Sequence, residues 1–132
     1  MKSKFQMALL IALVMMATLN LAAQKSEDLV GTWMGMATLE GEADPNELTL
    51  VLEMKDGELA GKMTDQFESM IETPIEEVIL EEEAFSFTVS VEVPGGTFKL
   101  EFKMKVSGNS MKGDLNVPDL GMSGTWEAEK QK

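Results

Sequence analysis

Four residue types are missing from this 132-residue chain: cysteine, histidine, tyrosine and arginine. Without cysteine there is no disulfide, no thiolate nucleophile and no lipid-modified cysteine to anchor a lipoprotein. Without histidine a Ser-His-Asp device cannot be built, and zinc sites made from His or Cys are closed as well. Without arginine the 11 positive charges are all lysine, and they face 23 acidic residues. A chain so poor in positive charge has no basic patch for phosphates, so nucleic acid is excluded as a partner. Long apolar runs are also scarce. The longest, from Met7 to Ala17, falls short of the roughly 20 residues that a membrane span needs.

That run has a different reading. Lys2 and Lys4 precede it, and the small residues Ala22 and Ala23 follow. A basic start, a short apolar segment and a small-residue exit predict a secretory signal peptide cut after Ala23. The expected mature part, residues 24–132, has the length of one domain. It keeps nine lysines against 23 acids, a net charge of −14. Such a charge favours solubility and a monomer, and stable membrane insertion after cleavage is not expected. The pattern fits a bacterial protein that is periplasmic or secreted. With no disulfides, its stability must come from its own apolar core.

What remains is strongly patterned. Phe85, Phe87, Val89, Val91 and Val93 alternate with polar neighbours. Phe98, Leu100, Phe102, Met104 and Val106 alternate with Lys99, Glu101, Lys103 and Lys105, and Leu48, Leu50, Leu52 and Met54 repeat the period. Alternation of this kind marks antiparallel strands that cover a core with one face. Strands are expected at 30–39, 47–55, 58–65, 70–80, 84–94, 97–107, 110–117 and 120–129. The fourth is irregular, because Pro74 removes a ladder donor and the alternation shifts through Ile75, Glu76 and Glu77.

Turn residues propose the register. Asp56-Gly57 pairs Leu52 with Gly61, and Gly108-Asn109 pairs Met104 with Gly113. A Gly95-Gly96 loop pairs Val91 with Leu100, and a Pro118-Asp119 loop pairs Met111 with Trp126. The fold predicted is all-β: an eight-stranded antiparallel up-and-down barrel in which the first strand pairs with the eighth. Two Gly-Thr-Trp triplets, at 31–33 and 124–126, then meet at one end of the seam. Trp33 and Trp126 are expected to plug that end. On this register Gly35, Gly61, Gly113 and Gly124 share the next level. They either give room to the indoles and let the strands coil, or they leave a pocket lined by Leu50, Leu52, Phe87, Phe102, Met104 and Met122. An eight-stranded barrel is just wide enough for either outcome.

Gly31, Thr32 and Trp33 at the start of the first strand of an eight-stranded meander resemble the lipocalins and the wider calycin group. The resemblance implies binding of a small apolar ligand inside the barrel. It also implies a basic residue from the end of the last strand packed over the first tryptophan, for which Lys130 is the candidate. The chain departs from the family in being short, in lacking tyrosine, and in showing no C-terminal helix.

Chemistry is sparse elsewhere. Glu76-Glu77 and Glu81-Glu82-Glu83 read as solvated charge. Glu42, Asp44 and Asn46 offer oxygens from one loop but lack EF-hand spacing, so no metal and no cofactor are expected. Asp65 is turned inward near the open rim and Glu76 is the only other inward candidate, too little for a catalytic carboxylate pair; no catalytic residue and no enzyme activity are expected. Two functions remain: a binder of a small apolar ligand in the barrel, or a filled barrel that acts through its surface as an envelope or extracellular protein-interaction module.

Overall fold

Eight strands close on themselves in the computed structural model, which describes residues 25–42 and 44–132. The leader expected over residues 1–23 lies outside the described residues. The strands are β1 Gly31–Leu39, β2 Asn46–Lys55, β3 Glu58–Asp65, β4 Thr73–Glu81, β5 Ala84–Val93, β6 Gly96–Ser107, β7 Ser110–Val117 and β8 Met122–Lys130. Each pairs antiparallel with its neighbours in sequence, and β1 pairs with β8 to complete an up-and-down barrel. Closure pairs the first and last strands of the meander with each other, so neither is left as an edge strand.

The two hairpins with Asp-Gly and Gly-Asn turns hold the expected register. Leu52 faces Gly61, and Met104 faces Gly113. Two others differ. The β5–β6 loop is Pro94-Gly95, so Val93 faces Gly96, Val91 faces Phe98, and Val89 faces Leu100. Proline fixes its own φ, and Gly95 takes φ +96°, the pairing that a type II turn requires. The β7–β8 connection is a 3₁₀ turn, Pro118–Leu120, closed by Gly121 in the left-handed conformation. That longer loop pairs Val117 with Met122, Met111 with Ala128, and Gly113 with Trp126. Both corrections move the pairing by two residues, so every side chain keeps its face.

The fourth strand is irregular, as Pro74 implies. Its ladder with β3 has only Lys62 facing Pro74 and Met63 facing Thr73. Its register against β5 shifts between Glu76 and Ile79, where Glu77 takes φ +50°. It begins at Thr73 rather than residue 70, because the preceding segment is held as a turn at the barrel mouth.

The closed end carries the two tryptophans, both with no exposed surface. A 3₁₀ turn, Ser26–Leu29, lies before β1, and the Trp33 indole N–H donates to Leu29 O at 2.9 Å. Lys130 Nζ sits 5.9 Å from the Trp33 ring centroid and donates to Asp28 O at 2.8 Å. A Cβ on Gly31 would meet Lys130 Cε at 2.7 Å. The first residue of the Gly-Thr-Trp triplet is glycine because its φ of +141° is one that side chains rarely adopt, and the Lys130 stem also crosses it. Trp126 occupies the next level, since it faces Ala37 across the seam while Trp33 faces Lys130. Its indole N–H donates to Gly35 O at 3.0 Å.

Three of the four glycines expected at one level have a single cause. A Cβ on Gly35, Gly113 or Gly124 would fall 1.6, 2.0 or 2.0 Å from the carbonyl oxygen of Glu127, Lys103 or Thr38. The adjacent backbone already occupies that space, so these glycines permit close approach of coiled strands rather than leave a void.

Candidate functional site: a cup at the open end of the barrel

Above the tryptophans the barrel is filled by rings. Phe85 and Phe87 have centroids 5.1 Å apart, Phe87 and Phe102 stack at 4.6 Å, and Phe102 meets the edge of Trp126 at 5.7 Å. Aromatic pairs at these separations contribute beyond their buried area. Leu50, Leu52, Met63 and Met104 close the gaps between them, all nearly inaccessible to solvent. This half of the interior is a packed floor.

The other half is open. A cavity of about 350 Å³ lies between the ends of the strands at the mouth. Its wall comes from Ala37 and Leu39 of β1, Leu48 of β2, Val91 and Val93 of β5, Phe98 and Leu100 of β6, Leu115 and Val117 of β7, and Met122 of β8. Three loops complete it with Glu42 and Asp44, with Phe67, Ser69 and Met70, and with Leu120. The volume falls within the range of roughly 300–1,000 Å³ that small-molecule pockets occupy.

The wall is apolar apart from one corner. There Asp65, only 3% exposed, faces Leu48 from the end of β3. Its Oδ1 accepts from the Met70 N–H at 2.7 Å. Its Oδ2 accepts from the Ser69 hydroxyl at 2.5 Å and from Asn46 Nδ2 at 3.1 Å. Burial alone would push this carboxyl up, but the donors outweigh it and hold it below its ordinary value of 3.8. Asp65 thus stays ionised and ties the 66–72 segment to the rim. Its own N–H also donates to Met70 O at 3.1 Å, Gln66 N–H to Glu47 O at 3.0 Å, and Glu72 N–H to Thr64 Oγ1 at 2.9 Å. The loop so held turns Met70 inward and leaves Phe67 and Ile71 61% and 63% exposed. Sequence patterning turns Asp65 inward near the open rim; in the folded chain it is buried and is the anchor of the loop.

Of the six residues expected to line a pocket, Met122 lies on the cavity wall. Leu50, Leu52, Phe87, Phe102 and Met104 lie in the floor, each with 4% exposure or less. The structure brings Glu42, Asp44 and Asn46, which share the segment between β1 and β2, to the cavity rim. Alternation does mark Leu48, Val91, Val93, Phe98, Leu100 and Leu115 as inward residues, and their height in the barrel puts them at the mouth. Phe67, Met70 and Leu120 sit in segments with no period, where sequence patterning offers no signal.

Comparison of this chain with known proteins, by family model, by curated sequence and by solved structure, finds no match.

Proposed function

We propose that this protein is an exported, lipocalin-like carrier or sensor that binds a small apolar molecule in the cup at its open end. The observation that carries the proposal is the cavity itself, about 350 Å³ of largely apolar space above a fully packed floor. Two features of the closed end support the lipocalin-like part: Gly31-Thr32-Trp33 opening β1, and Lys130 over the Trp33 ring. The basic, apolar and small-residue succession over residues 1–23 supports export. The Asp65 carboxylate is taken up by the Ser69, Asn46 and Met70 donors, which supports binding rather than catalysis.

The test is titration with a neutral fluorescent probe, N-phenyl-1-naphthylamine, against the wild type and Val93→Trp. Val93 is half-buried on the cavity wall, so a larger side chain there takes up the mouth. The expected result is saturable binding by the wild type and at least about tenfold weaker binding by the variant, a loss of roughly 1.4 kcal/mol. A wild type that binds no apolar probe sinks the proposal.

A second reading has one observation in its favour. Phe67, Ile71 and Leu120 are exposed on the loops around the mouth, and exposed apolar clusters mark interaction surfaces. On that reading the mouth is a protein-docking rim on an envelope or extracellular module, and its partner is recognised without a ligand inside.

A further inference from the structure

The wall of the barrel is not sealed all the way round. β3 and β4 pair only as Lys62 with Pro74 and Met63 with Thr73. Toward the closed end that ladder stops. There residues 58–61 keep a ladder to β2 alone, and residues 75–81 keep one to β5 alone. Pro74 and the bulge between Glu76 and Ile79, where Glu77 takes φ +50°, bend β4. At the top of the gap the Ile75 side chain leans over Gly61, whose Cβ would lie 3.2 Å from Ile75 Cδ1. Below it the core is thinly covered. Leu59, Val78 and Leu80 pack against the core yet stay half-buried, and Met54, opposite Leu59, is 37% exposed. Inward residues at the same end of the other strands, Phe85, Val106, Met111 and Ala128, are 3% exposed or less. What sets the first four apart is the missing ladder beside them.

We infer that this gap is a docking site for an extended segment of a partner protein, one that alternates apolar and basic side chains and adds to the free edge of β4 as a strand. A free edge is a template for strand addition, in which main-chain hydrogen bonds give affinity and alternate side chains give specificity. One face of the added strand would cover Val78 and Leu80. The other would stand beside the outward side chains of β4, which are Glu76, Ile79 and Glu81, with Glu58 across the gap. Glu77 at the bulge and Glu82 and Glu83 in the following turn carry the same sign. The lysines nearby are offset: Lys55 faces Glu58 across the β2–β3 ladder, and Lys99 is in an ion pair with Glu77. Lys62 stands at the top of the gap, opposite Pro74. Opposite charges on neighbouring strands attract and like charges repel. That sets the occupant. A second copy of this chain would bring the acids of β4 against the acids of β4, whereas a basic segment is complementary to them. The cup takes no part in this contact.

Synthetic octapeptides test this against the purified protein at neutral pH, each acetylated, amidated and fluorescently labelled. A lysine–valine alternation should bind saturably by anisotropy. In hydrogen exchange it should slow the amides of residues 75–81 and leave those of β6 unchanged. The same peptide N-methylated throughout keeps its charge but has no backbone donor, and it should bind about tenfold more weakly or worse. A glutamate–valine alternation should not bind. Ile79→Lys changes an outward side chain that is 53% exposed, so the fold is retained, and it sets a cation beside the incoming lysines. It should weaken binding several-fold. Val51→Lys makes the same change on β2, which is paired on both sides, and should weaken binding much less. Equal affinity of the N-methylated peptide, or equal effects of the two lysine variants, reduces the contact to charge attraction and overturns the inference. Dimerisation of the free protein in analytical ultracentrifugation, with protection of the same amides, names a second copy as the occupant and overturns it too. So does a lysine–valine peptide that fails to bind.

Discussion

Replacing Gly124 with alanine tests the geometry of the barrel seam at a single methyl group. An ideal Cβ at this position lies 2.0 Å from Thr38 O and 2.8 Å from Leu39 Cα. Ordinary contact begins near 3.4 Å, so β8 and β1 must separate by more than an ångström. Neighbouring strands lie only about 4.8 Å apart, and the bonds at this point are short. Glu40 N–H reaches Ser123 O at 2.8 Å just beyond the Leu39–Gly124 pair. Stretching it by that amount takes it past hydrogen-bond range. Losing two or three such bonds costs about 2–4 kcal/mol, in line with the roughly 1–3 kcal/mol of ordinary overpacking. For a domain of about 100 residues this lowers the melting temperature by about 10 °C or more. Gly113→Ala should behave alike, because its Cβ would fall 2.0 Å from Lys103 O. Gly96→Ala is the control: a Cβ there meets nothing within 4 Å. It should change stability by no more than about 0.5 kcal/mol, or raise it slightly through the unfolded chain. Thermal and urea unfolding followed by circular dichroism compare the three. Gly124→Ala and Gly113→Ala melting together with Gly96→Ala would refute the close approach and reopen the glycine level as empty space.

The remaining predictions concern the turns, the anchor and the closed end. Cysteines placed at Glu92 and Thr97, which face each other across β5–β6, should form a disulfide much faster than cysteines at Glu92 and Lys99; the reverse order would restore a Gly95-Gly96 loop. Asp65→Asn should cost about 1.5–3 kcal/mol at neutral pH, the worth of hydrogen bonds to a charged group. Because the folded pKa of Asp65 lies below 3.8, its contribution is complete above that value and is lost below it, as the pH falls through the folded pKa. The gap between wild type and Asp65→Asn in thermal melts should therefore close in acid, and a gap that is constant with pH counts against the anchor. Lys130→Ala removes the cover of Trp33 and the bond to Asp28 O, so tryptophan emission should shift to the red. An unchanged spectrum would mean that the 3₁₀ turn alone shields the indole.

The boundaries of the strands were legible because alternation over β2, β5 and β6 is nearly unbroken, and each run ends at a turn residue. Closure was legible from the two Gly-Thr-Trp triplets, although the reason for their glycines was not. Gly31 takes φ +141° under the stem of Lys130 and Gly124 yields to the backbone of Thr38, and both neighbours come from the opposite end of the chain. No local pattern carries such a contact. The inward position of Asp65 followed from its register against Leu48, whereas its burial depends on Ser69 and Met70 in a loop without periodicity.

The position of the cup went unread for a related reason. Side chains on a strand repeat every two residues, so hydrophobic patterning specifies a register only up to an even shift. A slip of one residue would have turned Val91 and Phe98 to solvent, and the alternation rules that out. A slip of two leaves each on its own face and changes only the level it occupies. The Pro94-Gly95 turn and the Pro118–Gly121 connection each made that change. The segment between β1 and β2 moved its pairing by two such steps, setting Trp33 opposite Leu50 and Gly35 opposite Leu48. Which residues face inward was thus settled by patterning, while their height above the floor was settled by three loops. A cup is defined by height. Leu50, Leu52, Phe87, Phe102 and Met104 were correctly assigned to the interior, but at the depth of the aromatic floor the eight strands leave no space. The ring of inward residues one and two levels higher, from Leu48 to Leu115, surrounds the volume that stays open. In a closed meander the position of such a cup therefore follows from turn chemistry more than from the strands, and the substitutions that should relocate or abolish it are those at Pro94, Gly95 and Gly121 rather than those in the core.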